Sequence, residues 1–205
     1  EALLDLSEIA AQRGDPVQAA EFIESAFEVA LEQPVEAEFL DSALRRRGRQ
    51  DLLARSLERR LERAAKPEDA ARALADLVML HGNRADVGGG PDPELVRQQA
   101  RTIQESLERD GVTAEEPWSA LGRVYDFLGD ADAEVRVLER RVASWRQRDQ
   151  VAPDASPFYR LAEIRLGGPA TRTEGLTLLQ RALAIRPEPA RAVAILRGVL
   201  DRDGA

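Results

Sequence analysis

Trp118-Ser119-Ala120-Leu121-Gly122-Arg123-Val124-Tyr125-Asp126-Phe127-Leu128-Gly129-Asp130 is the stretch that decides the fold. Trp118, Leu121 and Tyr125 recur at three- and four-residue intervals, which places them on one face of a helix. Gly122 leaves a gap on that face for a close neighbour. Gly129 then supplies a turn and Asp130 an N-cap for the next helix. Val135, Leu138 and Val142 continue as a second amphipathic helix running back along the first. Neither helix can bury its apolar face alone, so such pairs must stack on others.

The same order recurs on both sides. Leu3, Leu6, Ile9 and Ala10 share a face before Gly14-Asp15-Pro16, and Ala19, Ala20, Ile23, Ala26 and Phe27 form the return, closed by Pro34. Ala37, Leu40 and Leu44 lead to Gly48, and Leu53, Leu57 and Leu61 return toward Pro67. Leu74, Leu77 and Val78 open a third unit, whose return helix carries Val96, Ala100, Ile103 and Leu107. Further on, Phe158, Leu161, Ala162 and Arg165 precede Gly167-Gly168-Pro169, and Leu176, Leu179, Ala182 and Leu183 return to Pro187. Gly14 and Gly48 lie 34 residues apart, and Pro34 and Pro67 lie 33 apart. A period near that value, with glycine at the turn and proline at the unit end, marks a helix–turn–helix array.

Trp118-x2-Leu121-Gly122-x2-Tyr125 resembles the signature of the tetratricopeptide repeat (TPR) family in full, and Ala182-Leu183-Ala184-Ile185-Arg186-Pro187 resembles the end of one repeat. The resemblance implies an all-α fold, a right-handed α-solenoid of about five antiparallel helix pairs plus a terminal helix. The expected units are 1–34, 35–67, 68–112 with a long loop at 82–93, 113–150 and 154–187, with a terminal helix at 189–202, forming one repeat domain. Val193, Leu196, Val199 and Leu200 give that last helix its expected apolar face. The opening at Glu1 within a helical pattern, without Met, is read as a mature chain or a piece of a longer one, and the preference for Arg over Lys as bacterial composition.

The family resemblance also implies a groove lined by the first helix of each pair, holding a peptide or a partner helix. The residues it places there are Glu8, Glu38, Ser42, Arg45, Arg72, Asp76, Ser119, Arg123, Asp126, Tyr159 and Glu163. Arg45, Arg72 and Arg123 offer charge-assisted forks to an acidic segment. Some family members grip a C-terminal carboxylate with Lys, Asn and Arg. Neither Lys66 nor Asn83 maps to the groove, so that role is not expected.

Composition narrows the classes. The 205 residues are 43% hydrophobic but only 4% aromatic, so the core must be built from Leu, Ala, Val and Ile. The net charge of −8 argues against a nucleic-acid partner, which needs clustered positive charge. No apolar run approaches the length of a membrane span. Cysteine is absent, which removes thiolate chemistry and is compatible with a cytoplasmic or a periplasmic address.

No residue set for catalysis emerges. His81 is the only histidine, too few for a zinc set and without a spacing partner. Asp130-x-Asp132-x-Glu134 has alternating acids but lacks the glycine and distal glutamate of a calcium loop, and reads better as a capped helix start. Gly88-Gly89-Gly90 lacks the preceding strand and the following lysine of a phosphate loop. No catalytic, metal or cofactor residue is therefore assigned.

Charge is unevenly spread. Residues 1–34 carry one basic and eight acidic groups, whereas residues 35–67 carry nine basic and six acidic. The arginines at 45–47 complement a helix C-terminus, and the contrast also points to partner steering or self-association. The expectation is a protein–protein interaction scaffold rather than an enzyme. Its alternative is a regulatory or substrate-recruiting segment of a larger enzyme or secretion machine.

Overall fold

A computed structural model describes residues 1–82, 91–147 and 154–203, so residues 83–90 of the expected long loop, Asn83 among them, lie outside the described residues. All regular structure among the described residues is helical. The chain divides into two compact units, Glu1–Asp92 and Pro93–Ala205.

The first unit contains α1 (Ala2–Gln12), α2 (Pro16–Glu32), α3 (Pro34–Arg46), α4 (Gln50–Glu62) and α5 (Pro67–Gly82). Pro16, Pro34 and Pro67 each occupy the first helical position, where a missing N–H costs nothing. Asp15 caps α2 by accepting the Gln18 N–H at 2.9 Å. Gly14 and Gly48 hold the equivalent turns with φ of +77° and +66°, a left-handed conformation that strains any side chain. One core joins Leu4, Ile23, Phe27, Leu40, Leu44, Leu53, Leu57 and Leu77, drawing on all five helices.

Here α1 departs from its pattern. Leu4, Ser7 and Ala10 are buried, while Leu6 and Ile9, expected inward, are exposed. Ser7 turns toward α2 and donates to the Ala19 carbonyl at 2.9 Å. Helical periodicity locates an apolar arc, but the neighbouring helix decides which edge of that arc is covered.

The second unit contains α6 (Pro93–Arg109), α7 (Glu115–Leu128), α8 (Ala131–Gln147), α9 (Ser156–Gly167), a short 3-10 turn at Pro169–Thr171, α10 (Arg172–Ile185) and α11 (Pro189–Asp203). Trp118, Leu121 and Tyr125 are buried on α7 as the spacing predicts. The Trp118 indole donates to the Val112 carbonyl at 3.0 Å, and the Tyr125 hydroxyl donates to Gln104 Oε1 at 2.9 Å. Burial pushes the Tyr125 phenol up to about 12. Asp130 caps α8 by accepting the Ala133 N–H at 3.2 Å, with Asp132 and Glu134 in the first turn. The acidic triplet is thus a helix start.

Small residues set how near these helices come. A Cβ at Gly122 would stand 3.8 Å from Val137 of α8, whereas one at Gly175 of α10 would stand 2.8 Å from the Leu166 backbone nitrogen of α9. A second core joins Leu138 and Val142 of α8 to Phe158, Tyr159, Leu161, Ala162 and Leu166 of α9, Leu179 and Ala182 of α10, and Ala192, Ile195 and Val199 of α11. On α11 the buried face is therefore Ala192, Ile195 and Val199. Val193, Leu196 and Leu200, expected on that face, are exposed, as is Leu176 on α10.

Candidate partner-binding surface

In the first unit the acidic and basic halves meet each other. Glu1 pairs with Arg46 at 3.1 Å, and Arg47 pairs with Asp5 and, at 3.1 Å, with Glu8. From α2, Glu24 pairs with Arg55 at 3.0 Å and with Arg59, and Glu28 pairs with Arg63 at 3.0 Å. Most of these groups are exposed, and each such pair contributes ~0.5 kcal/mol or less. Their joint effect is to hold α1 and α2 in register with α3 and α4.

One pair lies deeper. Arg60 of α4 donates through Nη2 to Asp41 Oδ2 at 2.6 Å, and Asp41 is buried with its Oδ1 unpartnered in the structure. Burial pushes the Asp41 carboxyl above its ordinary value, and Asp76 adds to that push, while Arg60 and Arg45 oppose it. Asp41 follows Leu40 on α3 as Gly122 follows Leu121 on α7, a place the family pattern gives to a small residue, so the sequence carries little warning that a carboxylate is enclosed here.

Beside this pair, the ends of α2 and α4 and the starts of α3 and α5 enclose a cleft of about 180 Å³. Its floor is alanine and leucine (Ala30, Leu31, Ala37, Ala64, Ala65 and Ala73), and Arg60, Arg63 and Arg72 stand around it with Glu38 and Asp69. Arg72 reaches Asp69 at 3.4 Å. Two of the sequence-predicted groove residues, Glu38 and Arg72, therefore line a real concavity. Ser42 receives a hydrogen bond from Arg46 at 3.2 Å, Arg45 is exposed and Asp76 is half-buried. Arg60 and Arg63 lie on a return helix or just beyond its end, and first-helix reasoning passes over them. Their only sequence signal is the cluster of arginines at 55–63.

In the second unit Arg160 of α9 gathers three carboxylates. It donates to Glu134 through Nε at 2.7 Å and Nη2 at 2.9 Å, to Asp126 at 2.5 Å and to Glu163 at 3.1 Å. Its guanidinium is held charged well above the ordinary arginine range, chiefly by the hydrogen bonds to Glu134. Asp126 and Glu163, both predicted groove residues, are thus brought together by a residue the sequence did not single out. Ser119 is half-buried and Arg123 is exposed.

Tyr159 is placed differently from its expectation. It is wholly buried, its hydroxyl donates to the Arg186 carbonyl at 2.9 Å and accepts the Glu188 N–H at 3.0 Å, and Arg191 lies 4.9 Å above its ring. It fastens the start of α11 and offers no aromatic surface. Among the described residues the exposed large aromatics are Phe39 on α3 and Phe127 on α7. Phe127 follows Arg123 by four residues and so shares its face, a spacing visible in the sequence.

Among the described residues no group of three or more His, Asp or Glu is arranged to hold a metal ion, and no helix is long and apolar enough to cross a membrane. The helix pairs, their glycine turns and their small packing positions define a TPR-like α-solenoid fold. The chain matches the crystal structure of TTC0263, a thermophilic TPR protein of Thermus thermophilus, over 97% of each chain, with a TM-score of 0.50 and 17% identity. No family model matches the sequence, and no curated protein matches it.

Proposed function

We propose that this chain is a non-catalytic interaction scaffold that binds an acidic segment of a partner protein, with the cleft between α2, α3, α4 and α5 as one contact point. The observation that carries this reading is the set of three arginines around an alanine- and leucine-floored hollow. A guanidinium offers a planar fork to a carboxylate, and the apolar floor accepts the aliphatic stem or a small neighbour of the acidic residue. Glu38 and Asp69 at the rim would disfavour a uniformly anionic ligand and select one with spaced charges. Arg45 and the exposed Phe39 extend the surface along α3.

The test is fluorescence anisotropy with a labelled peptide of alternating glutamate and alanine, against an alternating lysine and alanine control. Binding of the acidic peptide alone, weakened by salt and by at least about tenfold in an Arg63→Glu/Arg72→Glu variant that still melts normally, is expected. Equal binding by that variant would refute the assignment of the cleft.

A further inference from the structure

We propose that Asp41 is a positioning residue for the cleft between α2, α3, α4 and α5: it fixes the Arg60 guanidinium in the cleft wall, where an acidic side chain of the partner meets it. The inference rests on the acidic-segment reading of that cleft.

Helix pairing alone does not call for an ion pair at this place. The first two helix pairs run in register: the Asp15 N–H donates to the Ala10 carbonyl as the Arg49 N–H does to Leu44, and the Ala19 N–H to Asp15 as the Leu53 N–H to Arg49. One period of 34 residues therefore carries Ser7 onto Asp41 and Ala26 onto Arg60. Ser7 and Ala26 are both buried, and Ser7 meets α2 through one neutral hydrogen bond, to the Ala19 carbonyl. The same turn bonds, from Asp130 to Tyr125 and from Glu134 to Asp130, give Gly122 of α7 the place of Asp41.

In the α3–α4 pair the charges come at a cost. Asp41 Oδ1 and Arg60 Nε are buried without a hydrogen-bond partner among the described residues. Replacing an enclosed ion pair by apolar groups often leaves a fold as stable or more stable. The pair is therefore better explained by where it puts Arg60 than by what it adds to the fold. An arginine at this place takes a carboxylate in the second unit too. Arg141 of α8 follows Asp130 by eleven residues, as Arg60 follows Arg49, and it donates to Glu115 at 2.7 Å.

Asp41 is not itself a ligand contact. Its side chain is 6% exposed and is not among those lining the cleft, whereas Arg60 is. It holds Arg60 from the buried side, accepting from Nη2 at 2.6 Å. Arg63 and Arg72 have side chains 58% and 42% exposed, against 19% for Arg60. Arg60 is thus the most enclosed of the three and is anchored to a buried carboxylate. A guanidinium fixed before the ligand arrives loses less freedom on binding. Without its counter-charge it would turn toward water instead.

Variants of the full chain test this in the anisotropy assay with the glutamate and alanine peptide. Asp41→Ser, too short to reach Arg60 Nη2, should weaken binding about tenfold, the scale of one charge-assisted contact. Asp41→Asn keeps an acceptor at the same reach and should restore most of the affinity. A second readout needs no peptide: the rate at which phenylglyoxal modifies Arg60, followed by mass mapping, should rise in Asp41→Ser and not in Asp41→Asn. Should Asp41→Ser melt early, Asp41→Leu, which fills the space without an acceptor, replaces it. The double variant Asp41→Ser/Arg60→Ala restores the residues of the first pair, and it should melt no lower than the parent while binding no better than Asp41→Ser.

Unchanged binding by Asp41→Ser would overturn the proposal, as would an equal loss in Asp41→Ser and Asp41→Asn or an unchanged Arg60 modification rate. A double variant that unfolds would show a purely structural pair and would also overturn it. If the parent binds no acidic peptide while the Arg60 rate still responds, the reading of the cleft is what fails: Asp41 then places Arg60, but not for an acidic partner.

Discussion

Arg160 of α9 closes two hydrogen bonds, at 2.7 and 2.9 Å, on the buried carboxylate of Glu134 at the start of α8. Glu134 is a first-turn acid whose side chain is almost wholly enclosed, with this guanidinium as its ion-pair partner. The pair spans two successive helix pairs and adds Asp126 of α7 to the same cation.

Removing the cation should therefore cost more than removing a surface pair. Arg160→Ala is expected to destabilise the chain by about 3 kcal/mol, reduced from the fully buried case because Arg160 is partly open to solvent. Arg160→Lys should recover part of this, since an ammonium cannot reproduce the two-ended contact. Urea unfolding of both variants and of Glu134→Gln, arranged as a double-mutant cycle, measures the coupling. A coupling near zero would show that the contact contributes nothing.

Trp118→Ala should lower stability by about 3–5 kcal/mol, because it empties a large buried site and leaves the Val112 carbonyl without its donor. Trp118→Phe should retain the larger part of the packing. Chemical denaturation resolves the two, and an unchanged midpoint for the alanine variant would remove Trp118 from the core.

Two buried glycines should respond to alanine in opposite directions. At Gly175 a Cβ would stand 2.7 Å from Leu166 Cγ and 2.8 Å from its backbone nitrogen, so Gly175→Ala must push α9 and α10 apart, at about 1–3 kcal/mol. At Gly122 the nearest atom is Val137 Cγ1 at an ordinary 3.8 Å. There alanine should stabilise α7 by up to ~1 kcal/mol through helix propensity. Thermal melts of the two variants should move to opposite sides of the parent.

Asp41 should leave a mark on the acid limb of the stability profile. Its folded-state carboxyl is raised above the ordinary 3.8, by burial first and by Asp76, against the pull of Arg60. A raised acid stabilises the fold below its unfolded value, and that contribution is lost as pH climbs through the folded one. The unfolding free energy of the parent should thus fall relative to Asp41→Asn as pH rises from 3.8, then run parallel to it. A constant difference across the acid range, or the opposite slope, would contradict the assignment.

Much of the fold can be read from short-range chemistry. Gly14 and Gly48 fall one period apart and both take the left-handed turn; Asp15 and Asp130 cap the helices that follow them. The face of Trp118, Leu121 and Tyr125 is buried as its spacing requires. The helix expected to carry Val96, Ala100, Ile103 and Leu107 appears as Pro93–Arg109. The candidate surface was less legible. Glu38 and Arg72 reach the cleft, but Arg60 and Arg63 are marked in the sequence only by their arginine cluster, Arg160 is brought in by the folded geometry, and Tyr159 turns inward.

The division has a physical cause. Turn conformation, capping and helical period depend on residues within about one helical turn of each other, so the amino-acid order alone sets them. Burial and charge partnership depend on which helix lies alongside. Leu6 of α1 and Leu40 of α3 occupy the same place in the period, 34 residues apart, yet Leu40 is buried and Leu6 is exposed. That difference arises from neighbours many residues away, and packing settles it.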